Sequence, residues 1–190
     1  MTIPFKNVDA ILFLAELNLQ CDFAERAATR LQLARAGWLK ETDSIRMPPI
    51  EIFEACHQLL LASGVISKIL FGAGVRAQNR GKLLRELMLL PELPLLAERS
   101  VRNSYEHVDE RLDKMTHKFL PGVKISPLSV SDNKPEPNEI ILKRFSPKDM
   151  RIYFSEQFVD LMGLISEIDS VRRGVNFGMA NMNGRPEKVL

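Results

Sequence analysis

Arg102, Asn103 and His107 stand within six residues of one another, in the run Arg102-Asn103-Ser104-Tyr105-Glu106-His107-Val108-Asp109-Glu110-Arg111-Leu112. These are the residue types needed to work on a phosphodiester without a metal. Arginine is a permanent cation whose planar fork matches two phosphate oxygens. Histidine has the side chain whose ordinary pKa lies nearest neutrality, so it can carry a proton there. Asn103 adds an amide that can hydrogen-bond a phosphate or fix the imidazole.

An element must position them, and the apolar pattern predicts a helix from Pro94 to Phe119. Val101, Tyr105, Val108, Leu112, Met115 and Phe119 recur in alternating steps of four and three, which is a core-facing stripe. Asn103, Glu106 and Glu110 point away from it. Arg102 and His107 flank the outward face about 140° apart at 3.6 residues per turn. One copy of the helix does not bring them onto one atom. Two copies crossing about a twofold axis can, because a twofold brings the same patch from both subunits together. Arg102 with Glu106 and Glu110 with Lys114 are ordinary surface pairs one turn apart. Glu106 with Glu110 and Asp109 with Asp113 are like charges at that spacing, which a helix built for stability alone avoids.

The run Arg102-Asn103-x3-His107 resembles the motif of the HEPN superfamily. Its extension from Glu106 to Leu112 is similar to a bacterial branch of defence-associated proteins. The resemblance covers about twelve residues. It implies a helical bundle that dimerises across the motif helix and cleaves RNA without metal, leaving a 2′,3′-cyclic phosphate and a 5′-hydroxyl. Arg102 would stabilise the pentacovalent phosphate, His107 would move a proton or orient the 2′-hydroxyl, and Asn103 would bind the phosphate or hold His107. Glu106, Asp109, Glu110 and Arg111 would support them. Toxins of this superfamily that pair with nucleotidyltransferase antitoxins carry a tyrosine two residues after the motif histidine. Asp109 stands there, so regulation through that tyrosine is not implied. The expected function is thus a metal-independent endoribonuclease, a toxin or phage-defence effector. Its partners would be a second copy of the chain, RNA, and an antitoxin or defence-system protein. The alternative is a non-catalytic module of the same kind that binds a nucleotide or a partner protein.

The rest of the chain limits other chemistry. It has 190 residues, 45% of them hydrophobic, and a formal net charge of +2. That suits one domain with a real core and not a protein that coats nucleic acid by bulk charge. Basic residues do cluster. Arg76, Arg80, Lys82 and Arg85, with Lys68 before them, are candidate RNA contacts. Lys143, Arg144, Lys148 and Arg151 form a second group. Few aromatics interleave with either in sequence, so no base-stacking platform is expected. Cys21 and Cys56 read as buried thiols, and His57 as a core or boundary residue. No Cys/His spacing suits zinc, so no metal and no cofactor are expected. No secretory leader is found, and no segment reads as long and apolar enough to span a membrane, which makes a cytoplasmic location the expectation.

The predicted fold is mainly α: a bundle of about five helices with a small inserted β-hairpin, in one domain over residues 1–177. Val8 to Ala36 reads as the first helix, stopped by Gly37, with Ile11, Leu12, Ala15, Leu19, Phe23, Ala27, Arg30 and Leu31 on its packed face. Pro48-Pro49 opens a second helix to Phe71. A third spans Gly81 to Leu90. Residues 123–138, with Pro127, Pro135 and Pro137, read as loop. Glu139–Phe145 and Met150–Ser155 make the hairpin within an insert at about 121–155. A last helix runs from Glu156 to Arg173, and residues 178–190 read as a mobile tail.

Overall fold

The computed structural model describes residues 7–39, 49–98, 113, 122–154 and 157–183. Within them the chain forms α1 (Asn7–Leu39), α2 (Pro49–Phe71), α3 (Val75–Leu87), α4 (Pro94–Ala97), β1 (Lys124–Val130), β2 (Glu139–Ser146), β3 (Arg151–Phe154), β4 (Gln157–Asp160) and α5 (Leu161–Asn183). The strands make one mixed sheet in the order β1-β2-β3-β4. The predicted bundle with a small hairpin is therefore corrected. The hairpin exists as β2 and β3, but it is the centre of a four-stranded sheet, and the fold is a helical layer packed against that sheet.

α2 is the hub, packing against α1, α3 and α4. Proline is tolerated at the first helical position, where its missing N–H costs nothing. Ile52, Cys56, Leu59, Ile66 and Leu70 are buried along α2. By length and composition Ile50–Phe71 is apolar enough to cross a membrane, contrary to the expectation above, and 56% of its most apolar window is buried inside the fold. The apolar run is that of a core helix.

α1 runs for 33 residues, through Gly37. Its packed face is rotated from the predicted one. Leu14, Leu17, Cys21, Ala24, Ala27, Ala28, Leu31 and Ala34 are buried, whereas Ile11, Leu12, Leu19 and Phe23 are largely exposed. The small side chains let α1 lie close against α2 and α5, so packing selected alanine rather than the bulkiest residues.

One face of the sheet packs against the described helices. Val130, Phe145, Ile152 and Val159 lie in register across the four strands. Phe145, Ile152 and Val159 are buried there. β1 pairs parallel to β2, across a connection of only residues 131–138. Seven strand residues span about 23 Å, and eight connecting residues reach about 28 Å at most, so the return must be nearly extended. Pro135 and Pro137, with φ locked near the extended region, suit it. Pro127 lies within β1, an edge strand, where a missing N–H is tolerated. Asp160 ends β4 and caps α5, its Oδ1 accepting the N–H groups of Met162 and Gly163 at 3.1 Å each. The last helix therefore starts after a strand and runs on to Asn183, through the start of the predicted tail.

Candidate functional site

Arg102, Asn103, Glu106, His107, Asp109, Glu110 and Arg111 all lie outside the described residues, as does the dimer contact assigned to them. The structure describes how the fold holds the two ends of that segment. On the upstream side α4 is a single turn, and Glu98 then turns extended (φ −71°, ψ 127°), so the predicted continuous helix from Pro94 is broken there. That turn is firmly anchored. Glu167 of α5 accepts the N–H groups of Leu95 and Leu96 at 2.9 and 2.8 Å, which satisfies donors a short helix leaves unpaired. Ser67 of α2 donates to the Leu96 carbonyl at 2.6 Å. On the downstream side Gly122 adopts φ 90° and leads directly into β1, whose Lys124 N–H donates to the Asn138 carbonyl at 2.9 Å. Asp113, the described residue between the two ends, is helical and exposed.

Beside α4 lies an open groove of about 720 Å³, with Phe71, Leu89, Leu90 and Leu93 in its wall and Lys82 and Arg85 on its rim. The four basic residues proposed as RNA contacts divide here. Arg80 donates to the carbonyls of Lys68 and Ile69 at 3.1 and 3.4 Å, and its guanidinium lies 4.7 Å from the Phe13 ring centre. Burial, and then the charge of Arg76, hold its pKa below the usual arginine value. Arg85 donates to the Leu70 carbonyl and lies 4.7 Å from the Phe71 ring. Together they cap the C-terminus of α2, where carbonyls lack helical partners and the dipole favours a cation. Arg76 and Lys82 are exposed, Lys82 with Glu86 3.8 Å away. Only these two of the four keep their charge turned to solvent. Spacing along α3 gave no signal of this, because the carbonyls that take up Arg80 and Arg85 come from another helix.

The cysteines behave as predicted. Burial pushes the thiols of both Cys21 and Cys56 up to about 12, for Cys21 in spite of the nearby charge of Arg172. Neither is a nucleophile at neutral pH. Arg172 is itself engaged, 2.5 Å from Asp22 and 3.1 Å from Glu25. His57 sits on the exposed side of α2 rather than in the core. Burial of part of its ring, and then the charge of Lys143, lower its pKa. Among the described residues no three His, Cys, Asp or Glu side chains form a metal-ligand group.

A scan of family models, a search of curated proteins and a search of solved structures each give no match to this chain.

Proposed function

We propose that the protein is a metal-independent endoribonuclease, acting as a toxin or phage-defence effector. The observation that carries this reading is the Arg102-Asn103-x3-His107 run. The four-stranded sheet is no part of the helical bundle the motif implies, so the reading rests on the motif residues and not on the fold. The described flanks of the segment are α4, hydrogen-bonded to Glu167 and Ser67, and β1, paired with β2.

In the proposed reaction the ribose 2′-oxygen attacks phosphorus. The new 2′-O–P bond forms as the P–O5′ bond breaks. One proton leaves the 2′-hydroxyl and one arrives at O5′, so no water is consumed and a 2′,3′-cyclic phosphate results. His107 moves a proton at one of these oxygens. Arg102 holds the charge that builds on the equatorial phosphate oxygens. In a twofold dimer, both subunits supply these side chains to one cleft.

Two variants test the assignment on labelled RNA in excess EDTA. His107→Ala removes proton transfer and should slow cleavage roughly 10²–10⁴-fold. Arg102→Lys keeps the charge but loses the bidentate fork, and should lose most activity. Cleavage by His107→Ala at the wild-type rate would refute the catalytic role. Light scattering should show a dimer, and a monomer at working concentration would remove the composite cleft.

A further inference from the structure

The face of the sheet turned away from the described helices carries a side-chain arrangement that the sequence order hides. Pairing puts Arg144 of β2 beside Tyr153 of β3, and Tyr153 beside Phe158 of β4. The Arg144 guanidinium lies 3.8 Å from the centre of the Tyr153 ring. The Tyr153 and Phe158 rings are 5.6 Å apart, and the Arg151 guanidinium is 4.5 Å from the Phe158 ring. Alternation along the strands puts Ile140 and Leu142 on this same face, and parallel pairing adds Ile125. Phe158 and Ile125 are 49% and 50% exposed. A soluble face usually alternates to polar residues here, and an apolar and aromatic one marks a surface with an occupant.

The charges say what kind of occupant. Arg144 is buried and donates to the Ser131 carbonyl at 3.0 Å, so it fixes the Tyr153 ring. Arg151 makes no hydrogen bond or ion pair among the described residues and stacks only on Phe158, leaving its donor fork open. Asp160 stands across from Arg151 in the β3–β4 pair. Asp160 caps α5, and Asp132 accepts from the Ser146 hydroxyl at 2.6 Å. The face thus offers ring surfaces, apolar rim and a guanidinium with no hydrogen bond or ion pair among the described residues. Exposed bases stack on such rings, and a phosphate fits the fork. A duplex hides its base faces, so the fit is to a single strand.

We propose that this outer sheet face binds single-stranded RNA, with a base stacked on Phe158 beside Tyr153 and a phosphate held by Arg151. The choice of RNA rests on the ribonuclease reading above, and the site would hold substrate apart from the cleaving residues.

The test is fluorescence anisotropy with a fluorescein-labelled, mixed-sequence RNA of about 12 nucleotides, within the range such platforms span. The full chain carries His107→Ala so that the probe survives. Adding Phe158→Ala should weaken binding roughly 5- to 100-fold, the usual loss for one stacked base. Phe158→Trp should restore it, which separates stacking from misfolding. Arg151→Gln should weaken binding and flatten its salt dependence by about one phosphate contact. A blunt duplex of the same sequence should bind more weakly than the single strand.

Affinity unchanged in both Phe158→Ala and Arg151→Gln would overturn the proposal, as would equal binding of duplex and single strand or no RNA binding at all. Self-association abolished by Phe158→Ala, without RNA binding, would assign the face to a second copy instead. Cleavage is measured separately with the His107 protein. Phe158-dependent binding without cleavage would support the platform and refute the nuclease. Cleavage with binding indifferent to Phe158 would do the reverse.

Discussion

Two groups of arginines look alike in sequence and do different work in the fold. Arg80 and Arg85 on α3 lie over aromatic rings and also donate to the last carbonyls of α2. Arg151 on β3 lies over a ring too, but binds no carbonyl or carboxylate among the described residues. The difference comes from what each element places next to the guanidinium. A helix C-terminus has unpaired acceptors and takes up the fork. On the sheet, Arg144 reaches the Ser131 carbonyl in the loop after β1, whereas the strand groups around Arg151 are already paired and take up no part of its fork. A cluster of basic residues is therefore a candidate binding surface only after the acceptors around it are known.

The largest expected break of this contrast is at Gly81, where α3 crosses α2. A Cβ there would collide with the Leu70 carbonyl, the same group Arg85 caps. Gly81→Ala should destabilise by about 3 kcal/mol, the upper range for overpacking. A thermal melt within a degree of wild type would show that α3 can move off α2, and that the cap is incidental.

Next comes the paired comparison itself. Arg85→Ala leaves the Leu70 carbonyl without its charged donor and should cost about 2 kcal/mol in denaturant unfolding. Arg151→Ala removes only an exposed stacking contact and should stay within about 0.5 kcal/mol. Equal losses would erase the distinction between the two groups.

A pH-dependent effect concerns the buried thiols of α1 and α2. Cys21 and Cys56 hold their protons up to about 12 in the folded chain, against 9.0 for a free thiol. A raised native pKa gives stability that is fully present below pH 9 and fades as pH rises toward 12. Melting temperature should accordingly fall across that window, and less steeply in Cys56→Ala than in wild type. Native protein should also resist alkylation at pH 8. Rapid labelling of either thiol there would mean that the helical layer opens locally.

How much of this the sequence disclosed depended on how local each cause was. α2 is readable because Pro49 and a helical stripe of apolar residues both act within the helix. On α1 the expected face holds at Ala27 and Leu31 and fails at Ile11, Leu12, Leu19 and Phe23, because apolar residues surround the helix. Packing chose the side rich in alanine, and that choice depends on α2 and α5. β1 reads as loop in sequence because Pro127, Pro135 and Pro137 punctuate residues 123–138, and the first of these signals fails on an edge strand. β4 was absorbed into the last helix because Phe158, Leu161, Met162, Ile165 and Ile168 mimic a helical stripe across the boundary that Asp160 sets. Once β1 and β4 are missed, a four-stranded sheet reduces to a hairpin. The row of Arg144, Tyr153 and Phe158 exists only through strand pairing, so no inspection of neighbours in sequence finds it. The motif from Arg102 to Arg111 was legible from residue types alone, and it lies outside the described residues.

The most direct test of the central claim is the chemistry of the cut ends. Purified protein is incubated with a single-stranded RNA in excess EDTA, and the fragments are sized by mass. The account predicts a 2′,3′-cyclic phosphate on one fragment and a 5′-hydroxyl on the other, with both lost in His107→Ala. Intact RNA, or fragments bearing a 3′-hydroxyl and a 5′-phosphate, would contradict it.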